Sequence, residues 1–170
     1  CHTTSGRYRF TEPARANEAC LPCHAARVAE AAPHSRHPEG SPGSRCVSCH
    51  MPATEFARMR RSDHSMLPPT PAATLAFNSP NACNTCHTDK DAAWADAQVR
   101  TWHTRDYQAP VLRQAGLVAA ARAGDWQRLE EMLRHVEDGS SDPVVAASLV
   151  RLLRGCPSQT NWEALRGALA

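Results

Sequence analysis

Cys20-Leu-Pro-Cys23-His24, Cys46-Val-Ser-Cys49-His50 and Cys83-Asn-Thr-Cys86-His87 decide how this chain folds. Cys-x-x-Cys-His is the attachment pattern of a c-type haem. Two thiols add across the porphyrin vinyl groups, and the His that follows ligates the iron. Two intervening residues let both sulfurs reach one porphyrin edge, and the next turn carries the imidazole over the metal. The chain opens on Cys1-His2, which reads as the last two residues of a fourth such motif. The expected cofactor is haem c, with three complete motifs and a fourth at Cys1-His2. The expected chemistry is electron transfer.

Other uses of paired cysteines fit less well. Cys20/Cys23 with Cys46/Cys49 have zinc-ribbon spacing, but zinc gives no reason for a His directly after every second Cys. Three disulfides, or a redox-active dithiol in a thioredoxin-like setting, fail on the same point.

The composition suits a chain that borrows part of its core. Of 170 residues only 5% are aromatic, 13 are Pro and 8 are Gly, and the mean hydropathy is −0.49. Covalently held porphyrins would supply the missing apolar volume, so folding should depend on attachment. The formal charge of +2 is too near neutral to suggest nucleic acid. No apolar run approaches the length of a membrane span. Haem is attached to c-type cytochromes outside the cytoplasm, so the expected location is periplasmic or extracellular. The absence of a leader-like stretch fits a mature or trimmed chain. A lipid anchor on Cys1 is the alternative, disfavoured by His2 directly behind it.

Two regions follow from where the motifs fall: 1–105 as a multihaem domain and 109–170 as a helical region. The first is rich in Pro and Gly and should be loops and short helices, with 33–45 and 62–81 as loops. Asn81 caps a helical turn bearing the third motif. A helix over Asp89 to His103, capped by Thr88 or Asp89, carries Trp94 and Trp102, which either lie against a haem or pack as ordinary aromatics. In the second region, Pro110 to Ala123 shows Leu112, Ala115 and Ala119 on one side and stops at Gly124. Asp125 caps a helix with Trp126, Leu129, Leu133 and Val136 in one stripe. Asp142-Pro143 starts a third helix through Leu149, Leu152 and Leu153 to Gly155. A capping box at Thr160 and Glu163 starts a fourth, with Trp162, Leu165 and Leu169 behind it. Such a succession suggests a short solenoid of the HEAT or TPR type. The fold class expected is mainly α: a loop-rich multihaem cytochrome c domain followed by a short helical-repeat region.

Iron needs a second axial ligand or an open position. Of nine His, His2, His24, His50 and His87 belong to motifs. His34, His37 and His64 lie in haem-region loops and are the expected distal ligands. His34 and His37, three residues apart, would serve two different haems from one turn. Asp63 either hydrogen-bonds the His64 ring or is simply solvated. His103 stands between the ligand and structural readings, and His135 reads as structural. Met51, Met59 and Met66 are the minority alternative, which would raise the reduction potential. Cys156 reads as a small packed residue or free thiol. Arg58, Arg60 and Arg61 form a short basic run, read as a solvated loop rather than as partners of haem propionates.

The stretches Glu18-Ala-Cys20-Leu-Pro-Cys23-His24, His34-Ser-Arg-His37-Pro-Glu-Gly-Ser-Pro-Gly-Ser-Arg-Cys46-Val-Ser-Cys49-His50-Met51-Pro52, Arg61-Ser-Asp63-His64-Ser and Ser79-Pro80-Asn81-Ala-Cys83-Asn-Thr-Cys86-His87-Thr-Asp-Lys90 resemble one family of bacterial multihaem cytochromes with a helical-repeat tail. The resemblance covers most of residues 1–103, loops included. It implies a complete motif where Cys1-His2 stands here, hence four haems, and distal ligation by His34, His37 and His64. This chain lacks the first Cys of that opening motif, so the haem there would hold one thioether or none. Family members often continue into longer HEAT or TPR arrays; this tail looks like a short version or a clipped end.

The functional reading is an extracytoplasmic tetrahaem electron carrier that passes electrons between redox partner proteins. A distal His from a neighbouring subunit would make it a homopolymer, a cytochrome wire. Two rivals stand beside it. One is a multihaem oxidoreductase with one open-coordinate haem acting on a small nitrogen or sulfur compound. The other is a scaffold whose solenoid binds a partner.

Overall fold

The computed structural model describes residues 13–157. Cys1, His2 and the Thr160–Glu163 capping box lie outside the described residues. The described chain is mainly helical, with a single small hairpin and many loops. Its residues cluster into two compact units, 13–71 with 80–98 and 72–79 with 99–157.

The first unit is built of short pieces. A 3-10 segment over Pro13–Cys20 leads into α1 (Leu21–Ala29), which is kinked at His24, and then into α2 (Ala31–Ser35). Arg36 ends α2 in the left-handed region at φ 60° and turns the chain back. A 3-10 turn at Pro42–Ser44 precedes α3 (Cys46–His50). Next comes a hairpin of β1 (Ala53–Phe56) and β2 (Met59–Ser62), registered Ala53 opposite Ser62 and Phe56 opposite Met59. Its loop is Ala57-Arg58, both with positive φ, 48° and 64°. That is the turn sense matching the twist of paired strands. Asp63 N–H donates to the Pro52 carbonyl at 2.9 Å and closes the hairpin base.

Several expectations change here. The loop expected over 33–45 contains the end of α2 and the Pro42–Ser44 turn. The loop expected over 62–81 contains α4 (Pro71–Phe77). Exposed Arg58, Arg60 and Arg61 sit on the hairpin turn and on β2, not in an irregular loop. The third motif does begin in a helical turn, the 3-10 segment Cys83–Thr85, with Cys83 N–H donating to Asn81 Oδ1 at 3.1 Å. α5 (Ala92–Trp102) is capped neither by Thr88 nor by Asp89. Asp91 Oδ1 accepts from Trp94 N–H at 2.8 Å.

Burial in the first unit is thin. Among its described residues, Ser44, Pro71 and Ala95 alone are buried. So few buried side chains do not by themselves offset the backbone entropy of ordering this many residues.

The second unit has an ordinary apolar core. α6 (Ala109–Ala123), α7 (Leu129–Glu137) and α8 (Pro143–Leu153) pack around Leu117, Ala121, Met132, Leu133, Leu149 and Leu153. α6 buries Leu117 and Ala121, one turn apart, and not the Leu112/Ala115/Ala119 side. Gly124 closes it at φ 69°, a conformation that favours glycine. Asp125 accepts from Gln127 N–H at 3.1 Å in a turn, and α7 starts four residues after Asp125. α8 starts as its sequence says: Asp142 Oδ1 accepts from Val144 and Val145 N–H at 2.8 and 3.1 Å, with Pro143 in the first turn. Asp142→Ala should cost about 1 kcal/mol of helical-unit stability, read as a lower denaturant midpoint. Buried Gln108 reaches 36 residues back, accepting from Ala72 N–H at 3.0 Å to cap α4.

Candidate functional site

Each complete motif lies on a helical or 3-10 turn. In the first, Cys20 ends the Pro13–Cys20 segment and His24 stands at the α1 kink, at φ −125° and ψ 37°. The second fills α3. Its start is tied to the first motif's segment by Asn17, whose Oδ1 accepts from Cys46 N–H at 2.9 Å and whose Nδ2 donates to the Ser44 carbonyl at 3.0 Å. The third is closed by its own Asn84, whose Nδ2 donates to the His87 and Lys90 carbonyls at 3.1 and 2.7 Å.

The motifs also lie close to one another. Burial, then the neighbouring Cys46 thiol, pushes the Cys20 thiol up. Burial followed by Cys83 and Cys86 does the same to Cys49, and burial raises Cys83. These thiols stay protonated at neutral pH. Cys20, Cys23, Cys46, Cys49, Cys83 and Cys86 are free of disulfides, as is buried Cys156 in the helical unit.

The imidazoles are arranged in pairs. His34 faces His50 with ring centres 6.2 Å apart and planes 7° from parallel. His37 faces His87 at 6.0 Å and 43°. Their orientation is set locally: His50 Nδ1 lies 3.2 Å from the Leu67 carbonyl and His37 Nδ1 lies 2.6 Å from the Ser35 carbonyl. Gly43 packs against the His37 ring so closely that no Cβ fits there.

These residues fit the group their sequence implies. A metal–imidazole bond is about 2.0–2.1 Å and the ring centre lies about 1.1 Å behind its nitrogen, so two imidazoles on one metal have centres about 6 Å apart. Both pairs have that spacing. Among the described residues no three His, Cys, Asp or Glu side chains converge as a ligand set for a bare metal ion.

Other candidates fall elsewhere. Exposed His64 sets Nδ1 2.8 Å from the Ser62 carbonyl; the nearby Asp63 carboxylate accepts from Ser65 N–H at 2.8 Å. His103 lies edge-on to Tyr107 at 4.8 Å in the second unit. His135 is in α7, its Nδ1 3.4 Å from Ser141 Oγ. Met59 and Met66 are exposed and Met51 is half-buried. Sequence reading missed Asn17, Gly43, Asn84 and the Leu67 carbonyl. Of these, only Gly43, in a Pro-Gly-Ser turn, carried a visible signal. Trp94 sets its indole 4.9 Å from the His87 ring.

Repeated Cys-x-x-Cys-His turns define a c-type cytochrome. The chain belongs to the cytochrome c552 family, whose model matches residues 33–132. The match includes the second and third motifs with His34, His37 and His64, and it extends into α7. No curated protein and no solved structure matches the chain. Haem c as cofactor and electron transfer as chemistry go with that family.

Proposed function

We propose that this protein is an extracytoplasmic carrier with about four closely packed haems, each held by two His. The observation that carries the reading is the pair of facing imidazoles, His34/His50 at 6.2 Å and His37/His87 at 6.0 Å. Haem c, when bound, takes up and releases single electrons at its iron. His50 and His87 would each hold a haem of their own motif, and His34 and His37 would supply the second imidazole to each. Haems held by two imidazoles would leave no place for a substrate and would serve electron transfer. His24 and His2 would be proximal ligands of the remaining haems, with His64 as a distal ligand. Cys20/Cys23, Cys46/Cys49, Cys83/Cys86 and Cys1 would carry the thioethers.

The nearness of Cys49 to Cys83 and Cys86, and of Cys20 to Cys46, supports short distances between haems. In this reading residues 1–105 are the haem-bearing part, and α6 to α8 a short HEAT/TPR-like segment suited to docking a redox partner protein. Among the described residues no helix is long and apolar enough to cross a membrane.

The test is haem stoichiometry by pyridine haemochrome and intact mass, with reduced spectra taken with and without carbon monoxide. About four low-spin haems inert to carbon monoxide are expected. A shifted Soret band on adding the gas would mark an open coordination position and replace this reading with a multihaem oxidoreductase.

A further inference from the structure

His87 is held differently from His37, His50 and His64. His50, His37 and His64 each set Nδ1 against a backbone carbonyl, at 3.2, 2.6 and 2.8 Å. Such a bond is the usual device that orients a metal-bound imidazole and raises its basicity. The His87 ring makes no hydrogen bond among the described residues. Its ring neighbours are His37 and, at 4.9 Å and a 50° tilt, Trp94.

Trp94 reaches this place through a fixed path. Lys90 N–H and Asn84 Nδ2 both donate to the His87 carbonyl, at 3.2 and 3.1 Å, which closes the turn after the motif. Asp91 then starts α5 by accepting from Trp94 N–H at 2.8 Å. Ala95, fully buried, anchors that first helical turn. The indole is half-buried and rests beside the imidazole.

We propose that Trp94 is a positioning residue that sets the rotation of the His87 imidazole by packing, in place of a hydrogen bond. The proposal rests on the reading that His37 and His87 share one iron. It explains why that pair is twisted by 43° whereas the His34/His50 pair is within 7° of parallel. One consequence follows for the holoprotein. Parallel imidazoles on low-spin ferric haem give a rhombic resonance with resolved features, and twisting them moves the lowest-field feature further downfield.

Electron paramagnetic resonance of the oxidised holoprotein tests this on wild type, Trp94→Leu, Trp94→Phe and Asp91→Ala. Wild type should show separate rhombic and low-field low-spin signals. Trp94→Leu should broaden and shift the low-field signal alone, at unchanged haem content, and Trp94→Phe should restore it. Asp91→Ala keeps the indole but frees its backbone, and should give a smaller shift of the same kind if the leucine variant fails to fold. A low-field signal unmoved by Trp94→Leu and Asp91→Ala overturns the proposal, as does an equal shift in both signals. A high-spin haem in wild type in place of the low-field signal overturns the His37/His87 pairing itself, which is a distinguishable failure.

Discussion

Gly43→Ala is expected to turn one low-spin haem into a species that binds carbon monoxide. A Cβ on Gly43 would stand 2.8 Å from His37 Nε2 and closer still to two ring carbons, inside the distance real Cβ atoms keep. The imidazole is held in place by local bonds. Its Nδ1 is held 2.6 Å from the Ser35 carbonyl, and its own N–H donates to Ser35 Oγ at 3.3 Å. The turn is equally constrained, because Ser48 Oγ donates to the Pro42 carbonyl at 2.8 Å and Ser44 Oγ to the Ser41 carbonyl at 2.9 Å. Overpacking of this kind costs about 1–3 kcal/mol. Rotating His37 relieves it, and that carries the imidazole away from His87. The reduced spectrum under carbon monoxide reads the outcome. The His34/His50 haem should keep its signal, and an unchanged spectrum would show that the close approach of Gly43 holds nothing in place.

Leu149→Ala is expected to remove about 2–5 kcal/mol from the helical unit. Leu149 is fully buried and belongs to the cluster of Leu117, Ala121, Met132, Leu133 and Leu153. The cavity would be lined by those neighbours, whose relaxation fills it only in part. A domain is stable by roughly 5–15 kcal/mol in all, so the loss is a large fraction. Denaturant titration followed by far-ultraviolet circular dichroism measures it. The low-spin haem spectrum, whose proposed ligands lie elsewhere in the chain, serves as the internal control. A midpoint within error of wild type would mean that α6, α7 and α8 do not depend on this core.

What the sequence carried plainly was chemistry and punctuation. Three Cys-x-x-Cys-His copies, Gly124 behind α6 and Asp142-Pro143 before α8 each have one dominant physical reading, and the structure follows the helix signals closely. The hairpin was not legible because Ala57-Arg58 takes the positive φ values that Asn-Gly or Asp-Gly would advertise. α4 was hidden among prolines; what stabilises its first turn is Gln108, distant in sequence. Thr88, Asp89 and Asp91 all precede the same Ala-rich run, and only the folded turn after His87 selects Asp91 as the cap. The face of α6 was misassigned because alanines on several sides leave no stripe, and packing against α7 and α8 chose Leu117 and Ala121. Distal ligands were suggested by an excess of His in poorly structured loops. Which imidazole faces which was unreadable, because it depends on Arg36 turning the chain through a left-handed conformation.

That turn has a consequence for how the molecule is put together. His34 and His37 stand on either side of Arg36, with the short helix Ala31–Ser35 behind them, and each faces the imidazole of a different motif. On the proposed reading, one short segment would be shared by two attachment events. Whichever cofactor arrived first would hold the segment for both, so the second would arrive at a site already shaped. Loading would then be sequential and cooperative, with half-loaded chains scarce. A fault in either attachment would be felt at both.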